Sequence, residues 1–417
     1  MSNPYGAIFR APGAKGFAAA GFFARMPMAM APIGIVAMLS QTHGEYWLAG
    51  AVSATFAFTN AFVSPQLSRL VDRLGQRRIA LPATSISVVA FVLLIWAAHH
   101  QWPLWTLFAA ALAAAVMPSI PAMVRARWTA IFRDRPELST AFAFESVGDE
   151  LVYIAGASLS VGLAVAWFPG AGLLASTLFL ALGTTAFLLQ RTTEPPVTGV
   201  SSKAVASAIS LLPVRIVTFA LVFIGAIFAT AEVTVLAVTR ELGQPEAASL
   251  VIGLYAAGSF VVGIVIGALK LQLPLERQLA MAIAVTGLTT VPLLIADSVP
   301  QLSVAILASG VAISPTLITA YGLIERRVPP DMLTEGITWV MTGIGIGMAL
   351  GAFVAGWVID TFGAGQGFWV SVVAGAIALA TVAIGQRALG RGATRTCADR
   401  PTTLANSGAA CGSSSIS

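Results

Sequence analysis

The chain has 417 residues, 57% of them hydrophobic and only 10% charged, with a formal net charge of +5. Soluble domains carry roughly 25% charged residues, so this composition excludes a water-soluble body and leaves an integral membrane protein. The apolar stretches are continuous, as in 87–98 and 219–231, where the strands of a membrane β-barrel would alternate in polarity.

A lipid-spanning helix needs ~20 apolar residues. Apolar runs bounded by charge, Pro or Gly predict spans at 17–39, 46–67, 79–98, 104–124, 139–163, 167–189, 213–239, 247–269, 278–296, 301–323, 334–358 and 366–386. The first follows Arg10 and Lys15 and is longer than the roughly 7–15 residues of a signal-peptide core, so it is read as an uncleaved span. The longest internal break, 190–212, holds Glu194-Pro195-Pro196 and Ser201-Ser202-Lys203. The expected organisation is a six-helix half over 1–190, a central cytoplasmic loop over 191–212 and a second six-helix half over 213–388. A Gly-, Ala-, Thr- and Ser-rich tail over 389–417 is expected to be disordered. It contains both cysteines, Cys397 and Cys411, so no disulfide framework holds the bundle.

Orientation follows from the basic residues. With both termini in the cytoplasm, 21 of the 23 Lys and Arg fall on cytoplasmic segments, leaving Arg25 inside a span and Arg240 on an outer loop. This places the chain as a multi-pass protein of the cytoplasmic membrane. It also explains the basic charge without a nucleic-acid partner. Trp47, Trp102, Trp105 and Trp167 lie near the expected outer ends of spans, where amphipathic rings favour the interface. The entrances to spans 5 and 11 are alike, Pro136-Glu137-Leu138-Ser139-Thr140 and Pro330-Asp331-Met332-Leu333-Thr334. Their positions agree with a parallel repeat of two halves.

Ionisable residues at bilayer depth cost roughly 2.5–3.5 kcal/mol and usually face a cavity or a partner. The candidates for a proton or substrate site are Arg25 in span 1, Glu145, Asp149 and Glu150 in span 5, and Glu232 in the outer third of span 7. Glu145 and Asp149 are four apart and share a helix face; Glu150 lies ~100° further round. Two carboxylates on one face repel when both are ionised, which suits reversible proton binding. Arg25 is expected near the depth of Asp149 and Glu150, either tuning them or forming a fixed ion pair between spans. Glu335, at the start of span 11, is expected to be hydrated. His99 and His100 have no acid or Cys neighbour, and neither a metal nor a cofactor is expected. Pro27 and Pro32, Pro118 and Pro121, and Pro315 should break spans 1, 4 and 10. Gly347 with Gly351, and Gly263 with Gly267, are spaced for close helix packing.

The loop between spans 2 and 3 reads Ser68-Arg69-Leu70-Val71-Asp72-Arg73-Leu74-Gly75-Gln76-Arg77-Arg78. It resembles the loop signature of the major facilitator superfamily. Leu70, Asp72, Arg73, Gly75 and Arg77 fill signature positions, with Ser68 in place of the first Gly. The resemblance implies an all-α membrane protein of twelve helices in two six-helix halves, with this loop latching the cytoplasmic gate. Drug–proton antiporters of the family carry Gly-Pro late in span 5; here Gly156 is followed by Ala157. The implied function is secondary transport by alternating access, expected to be proton-coupled export of a small, partly apolar compound by a monomer. Uptake of a nutrient or organic acid by symport or uniport, with Arg25 binding a substrate carboxylate, is the second expectation; a transporter-like sensor is a third. No polar constellation dense enough for an enzyme is present, and no phosphate loop surrounds Lys15.

Overall fold

The computed structural model of the protein describes residues 4–43, 46–197, 207–244, 247–268 and 273–390. Lys203, Lys270 and the tail from 391 onward, with both cysteines, lie outside the described residues.

After a short helix at Pro4–Ile8, twelve helical rods follow. In the first half they are α1 (Ala14–Thr42), α2 (Tyr46–Leu74), α3 (Gln76–His99), α4 (Leu104–Ala114 and Ile120–Phe132), α5 (Glu137–Ala166) and α6 (Ala171–Leu189). In the second they are α7 (Leu212–Glu241), α8 (Ala247–Ala268), α9 (Leu275–Ile295), α10 (Val299–Arg327), α11 (Leu333–Phe362) and α12 (Phe368–Gly390). Ten of these are long and apolar enough to cross a membrane; α2 and the broken α4 complete the bundle. Large apolar side chains such as Phe62, Trp105, Trp167, Phe353 and Ile384 point outward, as lipid contact requires.

Three rods break near their prolines as expected, but Pro32, also expected to break span 1, sits inside the continuous helix Pro27–Thr42. α1 breaks at Arg25-Met26, just before Pro27. α4 is irregular between Ala114 and Ile120, at Pro118. α10 is interrupted at Val311-Ala312, ahead of Pro315. A break at bilayer depth frees carbonyls that must find donors. In α4 the Asn60 side-chain amide of α2 supplies them, bonding the Ala115 and Met117 carbonyls at 2.9 and 3.3 Å. Pro65 and Pro82 sit inside continuous helices. A π-turn at Phe179–Gly183 in α6 was not foreseen; there a Cβ on Gly183 would lie 2.5 Å from the Ala24 backbone, beside the break in α1.

Within the second half, α7 and α11 make the closest approach. A Cβ on Gly347 would sit 1.8 Å from the Val222 carbonyl oxygen, and one on Gly351 would sit 2.5 Å from Ala226 backbone atoms. These glycines pack backbone on backbone, as their spacing suggested. Between the halves, α2 packs on α11, and α5 on α8 and α10.

Candidate transport site and gate

Arg25 enters the bundle where α1 breaks, and it is buried. Its guanidinium bonds both Glu145 and Asp149, the latter at 2.7 Å. Asp149 is shared: its second oxygen accepts from Arg125 of α4, also at 2.7 Å. The other oxygen of Glu145 accepts from the indole N–H of Trp128 at 2.7 Å. Two guanidiniums and two carboxylates thus form one buried, charge-balanced network joining α1, α4 and α5. A proton placed on Asp149 would have to displace two ion pairs. Beyond the network, the Arg125 guanidinium lies 4.1 Å from the centre of the Tyr321 ring of α10. This is a cation–π contact that reaches the second half.

The expected repulsion between Glu145 and Asp149 is therefore corrected: each has its own cationic partner. Of the two partners expected for Arg25, Asp149 is one, at 2.7 Å, while Glu150 is not, and Glu145 is the second carboxylate instead. Arg125 and Arg127 are also not loop charges. α4 continues to Phe132, and both are buried. Arg127 bonds the Gln76 side chain, the Gln190 carbonyl and Thr193, beneath the arginine-rich end of the bundle.

Glu150 points elsewhere. One helical residue past Asp149, it turns from the Arg25 side toward the second half. Its Oε1 accepts from the hydroxyls of Ser259 on α8 and Ser314 on α10, the second at 2.6 Å. The two serine oxygens lie 2.9 Å apart. Its Oε2 is buried without a hydrogen-bond partner, as is Arg125 Nε. Glu150 is thus a carboxylate on one half whose hydrogen-bond partners belong to the other. Glu232 of α7 makes no hydrogen bond or ion pair among the described residues.

A cavity of about 300 Å³ lies between α1, α2, α4, α5 and α11. Its walls are mostly apolar, including Met28, Phe56, Met117 and Ile346, with Arg25, Asn60, Tyr153 and several Ser and Thr hydroxyls as polar points. Among the described residues no three His, Cys, Asp or Glu side chains gather as a metal site.

The signature loop closes one end. Asp72 receives the N–H groups of Thr334 and Glu335 at 3.1 and 2.9 Å, one on each carboxylate oxygen. The carboxylate caps the N-terminus of α11, where the helix dipole is positive. Ser68 bonds Thr338 at 2.8 Å. Gly75 has φ 95°, which favours glycine, and the Arg77 N–H donates to Glu194 of the central segment at 3.0 Å. Leu70 is exposed on the outside of the bundle. Glu335 is buried rather than hydrated, because Ser207 and Trp339 both donate to it. The entrance motif of span 5 also reaches the other half, by a different bond: the Thr140 hydroxyl donates to the Gly267 carbonyl at the end of α8, at 2.7 Å. The hydrogen bonds that join the halves run from this arginine-rich end to the middle of the bundle.

Replacing Asp72 with Asn removes two charge-assisted bonds worth about 1.5–3 kcal/mol, roughly 10–100-fold in the balance between closed and open gate. Cysteine labelling of a residue under the latch, such as Ser64→Cys, should become faster from the arginine-rich side in Asp72→Asn. Unchanged labelling would deny Asp72 a gating role.

The sequence matches the Major Facilitator Superfamily profile over residues 17–295 and 216–406. The chain belongs to the major facilitator superfamily. Solved structures agree in fold. A bacterial homologue of the iron transporter ferroportin, in an outward-facing state, superposes with TM-score 0.68 at 17% identity, covering 90% of this chain and 99% of that one. The human organic anion transporter MFSD10 gives 0.65 at 13%, covering 89% and 99%. A variant of the E. coli fucose:proton symporter gives 0.64 at 16%, covering 88% and 97%. At such identities the likeness speaks for the fold alone. No curated protein sequence matches significantly. As a superfamily member the chain is a multi-pass membrane transporter of the secondary kind.

Proposed function

We propose that this transporter exports a small, partly apolar compound in exchange for protons, by alternating access across the cytoplasmic membrane, with both termini in the cytoplasm. The observation that carries the coupling is Glu150. It is an ionisable group at mid-depth that forms no ion pair among the described residues, bonded across the interface to Ser259 and Ser314. When the halves rock, those hydroxyls move away and the carboxyl meets a different environment. A proton can then be taken up in one state and released in the other. Arg25, Glu145, Asp149 and Arg125 instead form the rigid wall that holds α1, α4 and α5 together. Glu232 stands as a candidate second acid.

The cavity supports the substrate class: apolar walls with a few hydrogen-bonding points suit a compact, partly apolar molecule. The guanidinium of Arg25 is already occupied by two carboxylates, which argues against capture of an organic anion there. The closed latch at Asp72 supports reading this structure as outward-facing, the state of the ferroportin homologue above.

Everted membrane vesicles carrying an imposed pH gradient test the substrate class and direction together. Adding cationic, neutral and anionic compounds should show gradient collapse with cationic or neutral apolar members. Collapse by anionic members alone would replace this reading with organic-acid transport. No response to any compound would remove proton-linked export.

A further inference from the structure

A second concavity lies apart from the transport cavity, at the arginine-rich end of α1. It is a groove of about 640 Å³ between the N-terminal segment, α1 and α5. Its floor is the small pair Ala18 and Ala19, and its walls include Phe9, Phe22, Phe23 and Phe144. Phe9 is fixed edge-on to Phe144 with ring centres 5.1 Å apart. Phe23 is 51% exposed, so the groove faces the surroundings of the bundle rather than its core. Arg10 and Lys15 line the same groove and are exposed. Neither side chain makes a hydrogen bond or ion pair among the described residues. Among the described residues no acidic side chain lines the groove. From Lys15 to Phe23 the helix rises ~12 Å, a large part of one ~15 Å leaflet of hydrocarbon.

We infer that this groove seats one anionic phospholipid, its phosphate between Arg10 and Lys15 and an acyl chain lying over Ala19 between the phenylalanine rings. Charge complementarity selects an anionic headgroup: two cations line the groove, and none of the described lining residues is acidic. The apolar length below them selects a lipid over a soluble anion. The small floor leaves room for a chain, and the rings supply contact along it. The site has a structural consequence. The segment forming its upper wall follows Tyr5, whose hydroxyl donates to the Ile264 carbonyl of α8 at 2.8 Å. That bond crosses between the halves, so a lipid bracing residues 6–10 also braces a contact at the closed end. The inference rests on the membrane fold and is independent of the proton-coupling reading.

The test uses the full-length protein, delipidated in detergent, and native mass spectrometry with phosphatidylglycerol, phosphatidylcholine or glycerol phosphate as the probe. Phosphatidylglycerol should bind in preference to phosphatidylcholine, and glycerol phosphate should neither bind nor compete. Arg10→Gln with Lys15→Gln should weaken phosphatidylglycerol binding about tenfold or more. Ala19→Trp, on the exposed face, should do the same by filling the floor. Arg78→Gln, an exposed base elsewhere at the same end, should leave it unchanged. Equal binding of the two lipids, equal effects of Arg78→Gln and the paired substitution, or indifference to Ala19→Trp would each overturn the site. Binding of glycerol phosphate as tight as that of the lipid would reduce it to an anion site and overturn the lipid assignment.

Discussion

Arg25→Gln should be the most damaging single substitution at the site. It leaves Glu145 and Asp149 buried with only Arg125 to balance them. Breaking a buried ion pair from one side costs about 3–5 kcal/mol, because the stranded charge keeps its desolvation penalty. Thermal unfolding in detergent should shift down sharply, and transport should be lost with it. The account makes a more specific demand on the double variant. Arg25→Gln with Glu145→Gln restores the charge balance and keeps an acceptor for Trp128. It should be more stable than Arg25→Gln alone. If the double variant is as unstable as the single one, charge balance does not hold this wall together, and packing of the Arg25 stem at the helix break takes its place.

Gly347→Val is the second large effect, and it acts through volume. The added Cβ would sit 1.8 Å from the Val222 carbonyl oxygen, far inside contact distance, and the obstacle is backbone. α7 and α11 would have to separate along their closest approach. Overpacking costs typically 1–3 kcal/mol and more where nothing can yield. The expected result is poor folded yield and a lowered unfolding temperature. Gly356→Ala on the same helix is the control, since a Cβ there meets nothing within 4 Å. It should be neutral or slightly stabilising, because alanine is the better helix former. Equal effects at the two positions would mean that helix propensity, not close approach, sets the role of these glycines.

Much of the fold was legible because a lipid environment leaves few options. A chain with so little charge must hide every backbone polar group in helices, so apolar runs map directly onto rods. The prolines marked three real breaks, although Pro32, Pro65 and Pro82 are accommodated inside continuous helices. The ends of the rods were harder. Span 4 was expected to stop at Val124 because Arg125 follows, yet nothing between Pro121 and Arg133 breaks a helix, and α4 runs on to Phe132. Arg125 and Trp128 were lost to the site in that way. The signal available was that uninterrupted run of helix-compatible residues, outweighed by the charge.

The signature loop gave away Asp72, but not that its partners are backbone N–H groups of α11, since backbone donors have no sequence identity. Glu335 looked hydrated from its place near a helix start; the chain around Ser207 covers it, a long-range event with no local mark. Asp149 and Glu150 looked like one site because they are adjacent. The helical turn between them sends one into an ion-pair network within the first half and the other to serines of the second. Ser259 and Ser314 carried no signal in apolar helices, where serines are ordinary.

The central claim is that Glu150, and not the Arg25 network, carries the proton. Purified protein in liposomes allows proton-linked flux and substrate counterflow to be measured side by side for wild type and Glu150→Gln, with a substrate found in the vesicle panel. Counterflow needs only the cavity and the rocking halves; proton-linked flux also needs the coupling acid. The account predicts that Glu150→Gln retains counterflow, since Gln can still accept from Ser259 and Ser314, while substrate-dependent proton movement falls to background. Proton movement that persists in Glu150→Gln at the wild-type level would contradict it.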